Sequence, residues 1–275
     1  MSTKNENTTA RRGGIFVRLW SWFRRTLGLK LKPTSLPSVK EPTDVDKLPA
    51  GKEQSSGSTK LSRLKGKLLY FKGTGRDPLE GKPEWYREAY KVCAIKPGEE
   101  KAVKNAVKRI LWGKRLYLKV AEETGLEWWI LGGIHSLEAD CNFQAVLHNG
   151  ERIIGTGEKT RLVPKGRGPF ESWPEAAIDA IGLNPYRWVK IREAGPEIGL
   201  VLEAVESFNG RGYISGAGKA TVSPYLWSKT NVYTKGKYVS DGKFDPSVVS
   251  KQVGFVAIVK ELERLGEITI QIADS

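Results

Sequence analysis

The sequence predicts a mainly α domain of the α+β kind, in which helices carry one small β-hairpin sheet. Three observations predict it. Prolines stand at the head of amphipathic stretches at Pro83, Pro174, Pro196 and Pro246, where a missing N–H and a fixed φ suit the first helical turn. The apolar run Trp128-Trp129-Ile130-Leu131 is continuous enough for a helix buried on most sides. Asn149-Gly150, followed by alternating residues rich in Gly, Thr and Lys, is a strong short-range hairpin signal.

Taken in order, Pro83 opens a helix to about Ala94, and Pro97 with Glu99 and Glu100 opens a long Lys-rich one to about Glu123. Thr124-Gly125-Leu126-Glu127 has capping-box spacing, predicting the next helix over Leu126–Asp140. The hairpin follows from Leu147. Further helices are expected over Pro174–Ile181, Pro196–Phe208 and Pro246–Leu265, and the alternation of Glu267–Ile272 suits a terminal strand.

A hydrophobic fraction of 39% in 275 residues suits one sizeable core with an appendage. The body is assigned to residues 61–275, preceded by a basic amphipathic segment (1–31) and a flexible linker (32–60) rich in Pro, Ser, Thr, Lys and Gly. Within residues 14–31, Ile15, Phe16, Leu19, Trp20, Trp22, Phe23 and Leu27 alternate with Arg18, Arg24, Arg25 and Lys30. That pattern suits a helix lying on a membrane surface; a helix docked on the body and a targeting segment are competing readings. Arg18 interrupts the apolar stretch and no small-residue cleavage site follows closely, so no clear signal peptide is expected. Nor is there a run of about twenty apolar residues for a membrane span.

Lys and Arg number 45 against 31 Asp and Glu, and +8 of the net +14 falls before residue 65. Such a balance concentrates polyanions, whether nucleic acid, anionic lipid or acidic wall polymers. The charge gathers into no nucleic-acid reading motif, and Lys101, Lys104 and Lys108 have the spacing of a solvated helix face, so no specific nucleic-acid partner is expected.

Two cysteines, Cys93 and Cys141, make neither a disulfide framework nor a zinc pattern. Two histidines leave little for a metal site or a Ser-His-Asp triad. Gly73-Thr74-Gly75 and Gly155-Thr156-Gly157 lack the rest of any phosphate-binding fingerprint, and Asp241 and Asp245 lack a full calcium loop. Neither metal nor cofactor is expected, and carboxylates are left as the chemistry.

Glu138 stands at the end of the apolar helix, where desolvation disfavours a charged carboxylate and favours a proton donor. Taken alone, such a glutamate is more often a solvated helix end, and the context of the neighbouring motifs changes that weighting. His135 lies one turn earlier on the same face, placed to hydrogen bond near substrate or to fill space. Thr156 and Thr160 are hydroxyls able to orient water. Glu203–Tyr213 ends in Asn209-Gly210-Arg211-Gly212, whose glycines permit close approach of a sugar, although Asn-Gly also ends helices. Tyr213, Tyr225, Trp227, Asn231 and Tyr233 suit either a sugar-lining groove or core packing.

The stretch Phe208-Asn209-Gly210-Arg211-Gly212-Tyr213 resembles the Tyr-Asn-x-Gly-x-Gly motif of lytic transglycosylases and goose-type lysozymes. From Trp128 to Phe255 the order of segments resembles bacterial and phage proteins of the lysozyme family. It includes Leu147-His148-Asn149-Gly150, Val163-Pro164-x-Gly166, Ser223-Pro224-Tyr225-Leu226-Trp227-Ser228 and Gly236-Lys237-Tyr238-Val239-x-Asp241-Gly242. The resemblance implies a lysozyme-like fold, peptidoglycan as substrate, action at the bacterial wall and Glu138 as general acid. Because lysozymes carry a second carboxylate or water-positioning groups on the hairpin after that helix, it makes Glu151 the second carboxylate; a plain turn residue is the alternative, and Asp140 a weaker rival. It also implies Asn209 as the substrate-facing amide, and Thr156, His135, Tyr213 and Tyr225 join it as expected substrate contacts on their own chemistry. One departure stands: Glu138-Ala139 replaces the frequent Glu-Ser pair. Hydrolysis, as by a muramidase or endolysin, lytic transglycosylation, and a noncatalytic wall-binding or virion module with the same fold remain distinct expectations.

Overall fold

The computed structural model describes residues 81–215, 221–240 and 242–273. The N-terminal segment, the linker, the body before residue 81 and Asp241 lie outside the described residues.

α1 (Pro83–Val92) carries Pro83 in its first turn and buries Trp85, Tyr86, Ala89 and Tyr90. It packs on α7 (Ile198–Asn209), where Gly199 allows the contact: a Cβ there would lie 2.5 Å from the Pro83 carbonyl oxygen. The expected long helix to Glu123 is instead two, α2 (Glu100–Trp112) and α3 (Lys114–Thr124). The break falls at Gly113, where only a glycine fits under the ring of Phe143: a Cβ there would lie 2.1 Å from it.

The capping box does not form. Thr124 belongs to the end of α3, its hydroxyl donating to the Val120 carbonyl at 2.6 Å, and Gly125 terminates that helix with φ 67°. Helix α4 (Trp128–Ala139) starts without a side-chain cap and is buried throughout from Trp129 to Ala139. Two glycines set it deep in the molecule. A Cβ at Gly132 would lie 2.6 Å from Ile110 of α2, and one at Gly133 would lie 2.5 Å from Phe255 of α10 (Phe255–Arg264).

No strand forms in residues 147–160, which corrects the placement of the expected hairpin. Side chains there take the backbone donors a ladder needs: Glu151 accepts from the N–H groups of Arg161 and Leu162, and Thr160 from that of Arg167. The small antiparallel sheet lies later, pairing β1 (Lys237–Ser240) with β2 (Lys243–Asp245), Tyr238 opposite Phe244. The protein is thus mainly helical with a small two-stranded sheet.

α5 (Trp173–Leu183) begins as expected around Pro174, and α6 (Pro185–Ala194) is a helix that the sequence reading does not anticipate. Glu197 caps α7, its carboxylate accepting from the N–H groups of Gly199 and Leu200. After the single turns α8 (Gly212–Ser215) and α9 (Pro224–Trp227), the last helix starts at Phe255 and not near Pro246. Gly254 donates to the Ser228 carbonyl at 3.0 Å and leaves room for no Cβ against the backbone of Leu226 and Ser228. The expected terminal strand reduces to a bridge between Gln271 and Glu197. No helix among the described residues is long and apolar enough to cross a membrane.

Candidate active site

Glu138 occupies the last turn of α4 and is 8% exposed. Its Oε1 accepts a hydrogen bond of 2.9 Å from the hydroxyl of Tyr225, on α9, which Pro224 initiates. Burial, then the negative charge of Glu138, holds the Tyr225 hydroxyl well above the usual tyrosine range, so it remains a donor.

Arg187, on α6, is half-buried and close enough for its charge to act on both Glu138 and Tyr225. Burial lowers its pKa and those two groups act in the opposite direction. Its guanidinium lies over the Phe208 ring, 4.4 Å from the centroid, and donates through Nη2 to the Phe208 carbonyl. Trp188 meets the same ring edge-on at 4.9 Å. The C-terminal end of α7, with Asn209 half-buried as its last residue and Gly210 leaving at φ 100°, is thereby tied to the Glu138 neighbourhood. Glu206, one turn back on α7 and 1% exposed, adds negative charge felt by Tyr225 and Tyr213.

Other sequence-predicted residues have different surroundings. Tyr213 is buried, and its hydroxyl accepts the Tyr238 N–H at 3.1 Å, so it anchors β1. His135 is enclosed by the rings of Tyr117, Phe143 and Trp173, with the Tyr117 hydroxyl 2.9 Å from Nδ1. Burial pushes its pKa down to about 3, so it is a neutral core residue. Glu151 is spent on its own loop, accepting from Asn149 Nδ2 at 2.8 Å as well as from the N–H groups of Arg161 and Leu162. Thr156 is exposed and turns its hydroxyl to the Ile153 carbonyl; Thr160 is buried and binds the Pro164 carbonyl. Asp140 pairs with Arg109 at 2.7 Å.

Among the expected groove residues, Trp227 and Tyr233 are core, and Asn231 holds the chain after α1 through the Ala94 N–H. Cys93 and Cys141 are free and buried, their thiols pushed up by burial to about 12 and about 11. Among the described residues no group of three or more His, Cys, Asp and Glu is arranged to hold a metal. Of the predicted residues, the structure therefore joins Glu138 and Tyr225, while the Asn209 turn is held by Arg187 through Phe208.

Sequence reasoning missed Arg187 and Glu206. Pro185, heading Tyr186-Arg187-Trp188, carried a helix signal that would have put Arg187 on a defined face. Searches against protein-family models, curated proteins and solved structures give no match, so the likeness to the lysozyme family rests on the motifs themselves.

Proposed function

We propose that this chain cleaves the glycan strands of bacterial peptidoglycan as a lysozyme-type glycoside hydrolase, with Glu138 as proton donor. The observation that carries this reading is convergence at one carboxyl. Glu138, buried at the end of an apolar helix, meets the hydroxyl of the Ser-Pro-Tyr-Leu-Trp segment, and Arg187 ties the Phe208-Asn209-Gly210 turn to the same place. In the reaction, Glu138 gives its proton to the glycosidic oxygen as the C1–O bond breaks, and the electron-poor sugar carbon is then captured. Capture by water, whose surplus proton is lost to solvent, leaves a reducing end.

A second reading is favoured by the state of Glu151. Its oxygens already accept from an amide and two backbone N–H groups, so it is poorly placed to serve as a base. One carboxylate then serves both steps: Glu138, deprotonated after the first, takes the proton of a hydroxyl of the same sugar as that oxygen closes on C1. The product is an anhydro end, and the enzyme is a lytic transglycosylase.

The test is release of soluble fragments from purified peptidoglycan by wild type and Glu138→Gln, read by mass spectrometry. Reducing ends that vanish in the variant support hydrolysis, and anhydro ends that vanish support transglycosylation. Equal release by both proteins removes Glu138 from the mechanism. A folded wild type that binds peptidoglycan without cutting it is a noncatalytic wall-binding module.

A further inference from the structure

Resting on that reading, we propose that Arg187 is a positioning residue, fixing the Phe208-Asn209-Gly210 turn while its positive charge acts on the Glu138 carboxyl. Three features of its placement support this. The planar guanidinium stacks on Phe208 while its Nη2 donates to the Phe208 carbonyl, so one side chain fixes both the ring and the backbone of the residue before Asn209. That carbonyl lies in the last turn of α7, where the helix dipole is negative and a cation is favoured. The remaining field of the guanidinium falls on Glu138 and Tyr225, the pair joined at 2.9 Å.

The consequence is kinetic. When Glu138 releases its proton, the new carboxylate is met by a hydroxyl donor and a fixed cation already in place, with no reorganisation at that moment. Among the described residues, the groups acting on this pair include Tyr225 from α9, Arg187 from α6 and Glu206 from α7, whose negative charge reaches Tyr225. Arg187 contributes positive charge. Removing its charge makes Glu138 hold its proton more strongly, so the alkaline limb of activity moves to higher pH.

The experiment compares full-length wild type, Arg187→Met and Arg187→Lys. Two readouts are used: kcat/KM on peptidoglycan against pH, and the titration midpoint of the Glu138 carboxyl by 13C NMR, assigned with Glu138→Gln. For Arg187→Met, kcat/KM at the wild-type optimum falls roughly tenfold to a hundredfold, and both the alkaline limb and the NMR midpoint rise. Arg187→Lys keeps the limb and midpoint near wild type but loses rate, because an ammonium carries the charge without the fork or the planar stack. An unmoved limb and midpoint in Arg187→Met, with only a lower melting temperature, overturn the proposal. If Glu138→Gln cuts as well as wild type, the functional reading fails instead, and the NMR midpoint still decides whether Arg187 acts on Glu138.

Discussion

Two glutamates thirteen positions apart have opposite surroundings. Glu138, at the end of α4, is met by Tyr225 from α9 and the charge of Arg187 from α6, groups some fifty to ninety residues away in sequence. Glu151, in the loop after that helix, is met within eleven residues by Asn149 and the N–H groups of Arg161 and Leu162. An acid whose partners come from remote elements is held by the whole fold and faces side chains that chemistry can use. An acid closed by neighbouring backbone donors organises a loop.

Substitution at each glutamate tests that contrast. Glu138→Gln is expected to lose activity by roughly a hundredfold or more, since a positioned acid contributes at least that; fragment release per minute measures it, and a tenfold loss or less breaks the contrast. Tyr225→Phe leaves the carboxyl in place without its donor, with activity down on the order of tenfold and stability down by about 1–3 kcal/mol, read by initial rates and urea melts. Glu151→Gln should cost about 1 kcal/mol of stability while turnover stays within a few-fold of wild type. A large fall in turnover there with an intact melt would restore Glu151 as the second carboxylate.

The smallest effect concerns His135, whose folded-state pKa of about 3 lies below its unfolded value. Below the unfolded value the unfolded chain binds the proton first, so stability falls as the pH drops toward 3. Its contribution to that slope is at most about 1.4 kcal/mol per pH unit. His135→Gln, which can still hydrogen bond with Tyr117, should flatten the acid side of a melting-temperature profile between pH 6 and 4. His148, also lowered by burial, supplies a residual slope.

How much of this was legible follows the same division between local and remote. Pro83 and Pro174 announced their helices because a proline acts on its own first turn. Glu138 and Tyr225 were legible as residues from the motifs holding them. The need for a glycine at the Gly113 break was not, because what crowds that position is the ring of Phe143, thirty positions on. The Asn149-Gly150 signal was misleading for a chemical reason: the Glu151 carboxylate and the Thr160 hydroxyl compete for backbone donors, and no period-two pattern reports that competition. The aromatic residues stayed open between two readings, since side chains such as Trp227 and Tyr233 suit a sugar face and a protein core equally, and burial assigns these two to the core.

The glycines of α4 carry a last consequence. With Ile110 against Gly132 and Phe255 against Gly133, the helix is gripped where it has no side chains to yield, and turning or sliding it would drive backbone into a ring or a branched chain. Glu138 rides at the end of that helix, five residues beyond Gly133. Under the proposed function, the orientational entropy of aiming its proton is lost when the protein folds, and little of it is left to be lost on binding a glycan strand.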